Sequence, residues 1–213
     1  EDPKNLTSQF IKNTVGLSTD LNDQGVNDEE TLTQVSNNIV TEAEKLNEVR
    51  VVTRSNLTKI SQDEKLASVR VYGNALALIL MELYGRLDLE NILNPLQEYT
   101  RTQDVKKLSE YQIISTFLNT IINRLTIMSV PSSAVPSHLY LINAIEGYRV
   151  VLLGIGNAGE DPMKGLIAVN SYKKGGGDFI NSVYILGGYF SDKGVVFSSK
   201  ENGSLFTQVI LNQ

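Results

Sequence analysis

The sequence predicts a mainly α protein, an antiparallel helical bundle with a small C-terminal β-hairpin. Three observations carry that expectation. Apolar residues recur at spacings of three and four through several long stretches, the period of a helix with one buried face. Helix-start signals stand in front of those stretches, the plainest being the capping-box pattern of Ser61 and Glu64, with Asp161-Pro162, an N-cap residue followed by proline at the first helical position, a second strong one. Near the C-terminus Asn202-Gly203 separates two short apolar runs, a hairpin signal.

In chain order, residues 1–27 are rich in Asn, Asp, Ser, Thr and Gln and read as a flexible lead with no core role. The helical domain then runs over 28–213. Leu32, Val35, Ile39, Ala43 and Leu46 predict a first helix from Asp28 to Val49. The β-branched stretch Arg50 to Ile60 predicts a short extended piece. Ser61 and Glu64 form a capping-box pattern ahead of Leu66, Val69, Gly73, Leu76, Leu80, Leu83 and Leu87. A shorter helix follows from Leu89 to Tyr99, broken near Pro95.

Asp104 to Met128 places Leu108, Tyr111, Ile114, Leu118, Ile121, Leu125 and Met128 on one face. Pro131 and Pro136 bracket its end, and Ser137 is the expected cap of a helix carrying Leu141, Ile145, Tyr148, Leu152 and Ile155. After Asp161-Pro162 one phase runs from Leu166 to Phe190, so a single long helix is expected, bent at Gly175 to Gly177 and ended by Gly194. The hairpin is placed at 195–211. Gly73, Gly85, Gly147 and Gly165 are the positions where helices can approach closely.

Composition narrows the function classes. The 213 residues carry a net charge of −5 and no Lys/Arg cluster longer than a pair. A nucleic-acid surface needs a basic stripe to displace counterions, so nucleic acid is not an expected partner. Zero cysteine excludes disulfides, thiolate metal sites and thiol nucleophiles, and fits an extracytoplasmic setting. The longest uninterrupted apolar run, Ala75 to Met81, is far short of the ~20 residues that span a bilayer, so no membrane span is expected. The chain starts at Glu1, which leaves room for a signal peptide or anchor upstream.

Gly154, Gly156 and Gly159 imitate a dinucleotide fingerprint. A true fingerprint lies between a strand and a helix and continues into a second strand. Here the preceding residues keep a helical period, Pro162 starts the next helix after the third glycine, and only 54 residues follow Gly159. The expected reading is a loop between helices. An acidic loop offers a second candidate: Asp20, Asn22, Gln24, the carbonyl of Val26, Asp28 and Glu30 approximate the alternating donors of a calcium loop, with Gly25 at the turn. Calcium is the one cofactor proposed on that spacing, the competing reading being a solvated turn ahead of a helix. His138, the single histidine, has no recognisable nucleophile or orienting carboxylate and is expected at the surface near a helix cap. Glu82, Glu110 and Glu146 are expected as solvated helix charges.

Arg54 to Ile60, Tyr72 to Ala77, Val130 to Ser133 with His138 to Asn143, Asp161-Pro162, and Tyr189-Phe190 near Gly194 together resemble an uncharacterised protein family of candidate-phyla (Patescibacteria-type) bacteria. The resemblance covers most of Asn47 to Phe197; the Gly175 to Gly177 run departs from it. It implies a secreted or membrane-anchored helical protein, in some genomes encoded near pilus or type IV secretion components, with no assigned activity and so no functional residues to carry over. The expected function is a non-enzymatic extracytoplasmic structural or interaction protein, a self-assembling component of the cell envelope or a surface appendage that self-associates or binds an envelope partner, with the exposed edge of the C-terminal strand pair offered to a neighbour's strand. The alternative is a helical domain that senses or binds a small ligand.

Overall fold

The computed structural model describes residues 5–8, 49–88 and 91–211. The helix expected from Asp28 lies outside them except for Val49, as does the whole calcium-loop candidate, Asp20, Asn22, Gln24, Val26, Asp28 and Glu30.

The protein is mainly helical with a small two-stranded parallel sheet. Strand β1 (Lys59–Ser61) leads into helix α1 (Leu66–Arg86), followed by α2 (Asn94–Thr102), a 3-10 turn at Val105–Leu108, α3 (Ser109–Ile127) and strand β2 (Ser129–Pro131). Then come α4 (Val135–Gly156), α5 (Pro162–Asp192) and α6 (Ser204–Leu211). Lys59, Ile60 and Ser61 pair in parallel with Ser129, Val130 and Pro131. Parallel strands cannot be joined by a tight turn; here the crossover holds α1, α2 and α3. This corrects the expectation of a plain antiparallel bundle with a C-terminal hairpin, because the sheet lies in mid-chain and its strands are parallel.

No hairpin forms at 195–211. Residues 195–198 are non-helical, turns follow through Gly203, and Ser204 to Leu211 are helical. Two causes act together. Leu205, Phe206, Val209 and Ile210 have a helical spacing as much as a strand one, and Gly203 is occupied by a packing duty: a Cβ there would overlap the Phe197 ring.

Helix phase matches burial over most of α1, α3 and α4, although Leu66, expected on the inner face of α1, is 53% exposed. Val69, Tyr72, Gly73, Leu76, Leu80 and Leu83 of α1 face one continuous core with Tyr111, Leu118, Ile121 and Leu125 of α3 and Leu141, Ile145, Tyr148, Leu152 and Ile155 of α4. Proline opens helices here. Pro95 stands in the first turn of α2 and Pro136 in that of α4, where a missing N–H costs nothing. Hence α2 begins at Asn94 instead of breaking there, and α4 begins before Ser137, which is not its cap. Helix α5 runs unbroken through Gly175 to Gly177 and ends at Lys193 and Gly194, the latter at φ +70. Of the four glycines expected at close approaches, Gly73 and Gly165 are packed against neighbours, whereas Gly85 and Gly147 face open space.

Asp161 is the expected cap of α5 and accepts from Lys164 N–H at 3.2 Å. It also seats the N-terminal segment. Leu6 N–H donates to Oδ2 at 2.7 Å, Thr7 N–H and Oγ1 donate to Oδ1 at 3.1 and 2.7 Å, and Leu6 is buried. These bonds hold the Asp161 carboxyl below the usual range against the opposing effect of burial. Asp161→Ala removes a cap worth about 1 kcal/mol and further charge-assisted bonds of similar size. We expect a loss of about 2 kcal/mol in urea unfolding, accompanied by faster amide exchange at Leu6 and Thr7; unchanged exchange there would refute the docking role.

Glu64 does not close a capping box with Ser61. Its carboxylate accepts from Ser132 Oγ at 2.8 Å, from Ser133 N–H at 2.9 Å, from Ser133 Oγ, and from Lys193 Nζ at 3.1 Å. It therefore ties the entry of α1 to the segment after β2 and to the end of α5. The Ser133 bonds lead in lowering its pKa from 4.5 to about 2. A carboxylate with a depressed folded value stabilises above its unfolded value, and that contribution is lost as pH falls through the folded one. Part of the acid destabilisation between pH 4.5 and about 2 is thus expected to vanish in Glu64→Gln, read as a flatter dependence of Tm on pH across that window.

Candidate functional site

Helix α1 is apolar on two sides. Its inner side fills the core, and its outer side leaves Leu66, Val71, Leu78 and Met81 at 53, 69, 54 and 48% exposure, with Ala67 and Ala75 exposed between them. The uninterrupted run Ala75 to Met81 is the local cause, since seven consecutive apolar residues span almost two turns and cannot all face inward. Such a stripe of four exposed large apolar residues on one helix is more than the scattered single ones that need no explanation.

A groove of about 400 Å³ runs beside the stripe. Ser68, Val71 and Ala75 form one wall, Met128, Ser129 and Pro131 the other, and Tyr72 the floor. Ile127, 65% exposed, extends the apolar surface past the β2 wall. Charged groups mark both ends of α1. Asp63 accepts from Lys65 N–H at 3.2 Å and Ser68 Oγ at 2.6 Å, and those bonds hold its carboxyl below the usual range. At the other end Glu82 pairs with Arg124 at 2.5 Å, and the Arg86 guanidinium lies 4.8 Å from the Phe117 ring centre.

Beneath the floor sits His138, fully buried, which corrects the expectation of a surface residue. Its Nε2 is 3.0 Å from the Leu125 carbonyl, which can only accept, so the ring proton resides there and Nδ1 accepts from Tyr72 Oη at 3.0 Å. Burial pushes the imidazole down to about 4 and raises the Tyr72 phenol. Both groups are neutral at pH 7 and closed to solvent. The pair braces the groove and offers no base to a substrate. The signal was present in the sequence: His138, Leu141, Ile142 and Ile145 share one helical face.

Other candidates resolve into structural roles. Gly154 backs onto Ala168, Gly156 onto Tyr111 and Gly159 onto Val105, while Ala158 fills the space over Gly165; the fingerprint-like turn is the α4–α5 connection, with an open pocket of about 290 Å³ over Gly156, Asn157 and Gly159. Glu146, expected in solvent, is buried and held by both Nε and Nη2 of Arg149 at 2.7 Å. A smaller apolar cavity of about 180 Å³, lined by Phe190, Val195, Phe197 and Phe206 among others, falls below the usual size of a ligand site. Among the described residues no group of three or more His, Asp or Glu is arranged to hold a metal ion.

By length and composition α1 and the segment Ser132–Gly156 are apolar enough to cross a membrane, with 44 and 50% of those windows buried within the protein. Comparison of the chain with models of known families, with curated proteins and with solved structures gives no significant match.

Proposed function

We propose that this chain is a non-enzymatic interaction protein of the extracytoplasmic space, a component of the cell envelope or of a pilus- or secretion-associated appendage, which docks a protein partner through the outer face of α1. The observation that carries the reading is the exposed stripe Leu66, Val71, Leu78 and Met81 beside the β2-walled groove. The roles of His138, Glu64, Glu146 and Asp161 agree with it, because each is engaged in holding elements together. The extracytoplasmic setting rests on the absence of cysteine and on the resemblance to the candidate-phyla family, and calcium binding at Asp20 to Glu30 belongs to the same reading.

A photo-reactive amino acid at position 78 in the native host tests the docking. A covalent adduct with a protein, lost when the probe is moved to the buried position 76, is the supporting result; no adduct at position 78 overturns the reading. Recovery in the cytosolic fraction would overturn the placement. A second reading, a ligand-binding helical domain, has the 400 Å³ groove in its favour, a volume within the range of small-molecule sites. Stabilisation of the purified protein in a thermal-shift ligand screen, abolished by Ala75→Phe, would favour it.

A further inference from the structure

We infer that Asn202-Gly203 is a latent self-modification site, an asparagine that converts to isoaspartate only when the turn ahead of α6 comes loose, and that Asn74 is the residue that keeps it shut. It is the only Asn-Gly pair in the chain. Asparagine followed by glycine is the pair best suited to ring closure, because glycine has no Cβ to crowd the approach of its backbone nitrogen to the carboxamide. In the reaction the Gly203 nitrogen gives up its proton and bonds to Asn202 Cγ, and the side-chain amide nitrogen leaves as ammonia. Water then adds to one of the two carbonyls of the cyclic imide. The product is aspartate or, when the α-carbonyl is opened, isoaspartate, whose main chain runs through Cβ and Cγ. Water is the sole co-reactant.

Half of the site is open and half is held. Asn202 is exposed, so its carboxamide meets water, whereas Gly203 is buried. The N–H groups of Ser204, Leu205 and Phe206 donate to the carbonyls of Glu201, Asn202 and Gly203 at 3.0, 3.2 and 3.0 Å and fix the turn. Ring closure requires the peptide plane between residues 202 and 203 to swing about the Asn202 Cα–C bond until its nitrogen meets Cγ. Both polar groups of that plane are engaged. Its carbonyl accepts from Leu205, and its N–H, which carries the proton that must leave, donates to Asn74 Oδ1 at 2.8 Å. Asn74 Nδ2 also donates to Glu201 at 3.0 Å, so one side chain of α1 grips the residues on both sides of Asn202. The Phe197 ring, which a Cβ at Gly203 would overlap, crowds the same plane from another side.

The isoaspartate does not fit back into the seat. It lengthens the main chain by one carbon just ahead of Gly203 and sets a new negative charge beside Glu201, whose carboxylate already takes two bonds from Arg70, at 2.6 and 2.7 Å. Gly203 then stays off Asn74 and off the Phe197 ring, and α6 loses its register on α1. The change is irreversible, so the site is a one-way record of opening at the C-terminal segment.

Mass spectrometry of the tryptic peptide that begins at Glu201, after incubation of the purified protein at mildly alkaline pH, reads the conversion, with isoaspartate told from aspartate by fragmentation. The folded chain is expected to convert at least about tenfold more slowly than the same chain unfolded in urea, since the reaction proceeds only through the locally open fraction. Asn74→Ala, with an unchanged circular-dichroism spectrum, is expected to convert at least about fivefold faster than the folded parent, the rise in open population for one hydrogen bond lost. Phe197→Ala is expected to accelerate it as well, and in urea all three proteins should share one rate. Equal rates for the folded and unfolded parent chain overturn the latent site, whether or not the variants fold. A folded Asn74→Ala that converts at the parent rate overturns the guarding role. Amide exchange at Phe206 is expected to be faster in the converted protein, and unchanged exchange overturns the one-way record.

Discussion

Replacing Arg149 by alanine is expected to lower the unfolding free energy by about 3–5 kcal/mol, the cost of leaving one member of a buried ion pair without its partner. Glu146 is 3% exposed and gives both carboxylate oxygens to the guanidinium, each at 2.7 Å. Arg149 also reaches Ser115 Oγ of α3 at 3.3 Å, so the pair stitches α4 to α3. The two ends of the pair are not equivalent. The Arg149 side chain is 20% exposed and can turn toward water once Glu146 is gone, so Glu146→Ala is expected to cost less than Arg149→Ala. Replacing both by methionine removes the stranded charge altogether and is expected to recover most of the loss. Urea unfolding of the three variants checks the order; a double variant as unstable as Arg149→Ala would show that packing volume, and not charge, sets the cost.

What the sequence made legible, and what it hid, divides along the range of the interactions involved. The buried faces of α1, α3 and α4 follow from local period alone, and Asp161-Pro162 marked the start of α5 because capping acts within four residues. The parallel pairing of Ile60 with Val130 joins residues seventy positions apart and has no local signature. Glu64 looked like a capping residue because Ser61 stands three positions before it; its actual partners, Ser132, Ser133 and Lys193, come from distant elements. Phase also failed near the start of α5, where Gly165 and Ala168 are buried and Leu166 is 57% exposed. There the close contact of Gly165 with Ala158 selects which side of the helix faces the core. The candidate interface was half visible. Ala75 to Met81 stood out as the longest apolar run, but which of its residues face outward depends on where α3 and α4 lie.

Phe197→Ala is expected to cost about 3–5 kcal/mol, the usual range for deleting a core phenylalanine, and to unseat the whole C-terminal segment. The Phe197 ring lies between two glycines, Gly73 of α1 and Gly203 ahead of α6, and a Cβ at either position would overlap it. Its ring meets Phe190 of α5 edge-on at 5.3 Å, and Phe206 of α6 lies 4.7 Å from Phe190. Arg70 and Asn74 of α1 hold the connecting turn through Glu201, at 2.6 to 3.0 Å, and Asn74 Oδ1 accepts from Gly203 N–H at 2.8 Å. These contacts account for the absent hairpin: pairing strands about Asn202-Gly203 would withdraw Gly203 from the ring and from Asn74 at once. If that is the cause, Gly203→Ala must destabilise by overpacking, by about 1–3 kcal/mol. The Gly203→Ala, Phe197→Ala double variant should then lose much less than the sum of the single losses, since the added methyl has room once the ring is gone. Chemical denaturation of the four proteins closes the cycle, and strict additivity would refute the glycine–ring contact as the element that decides the C-terminal fold.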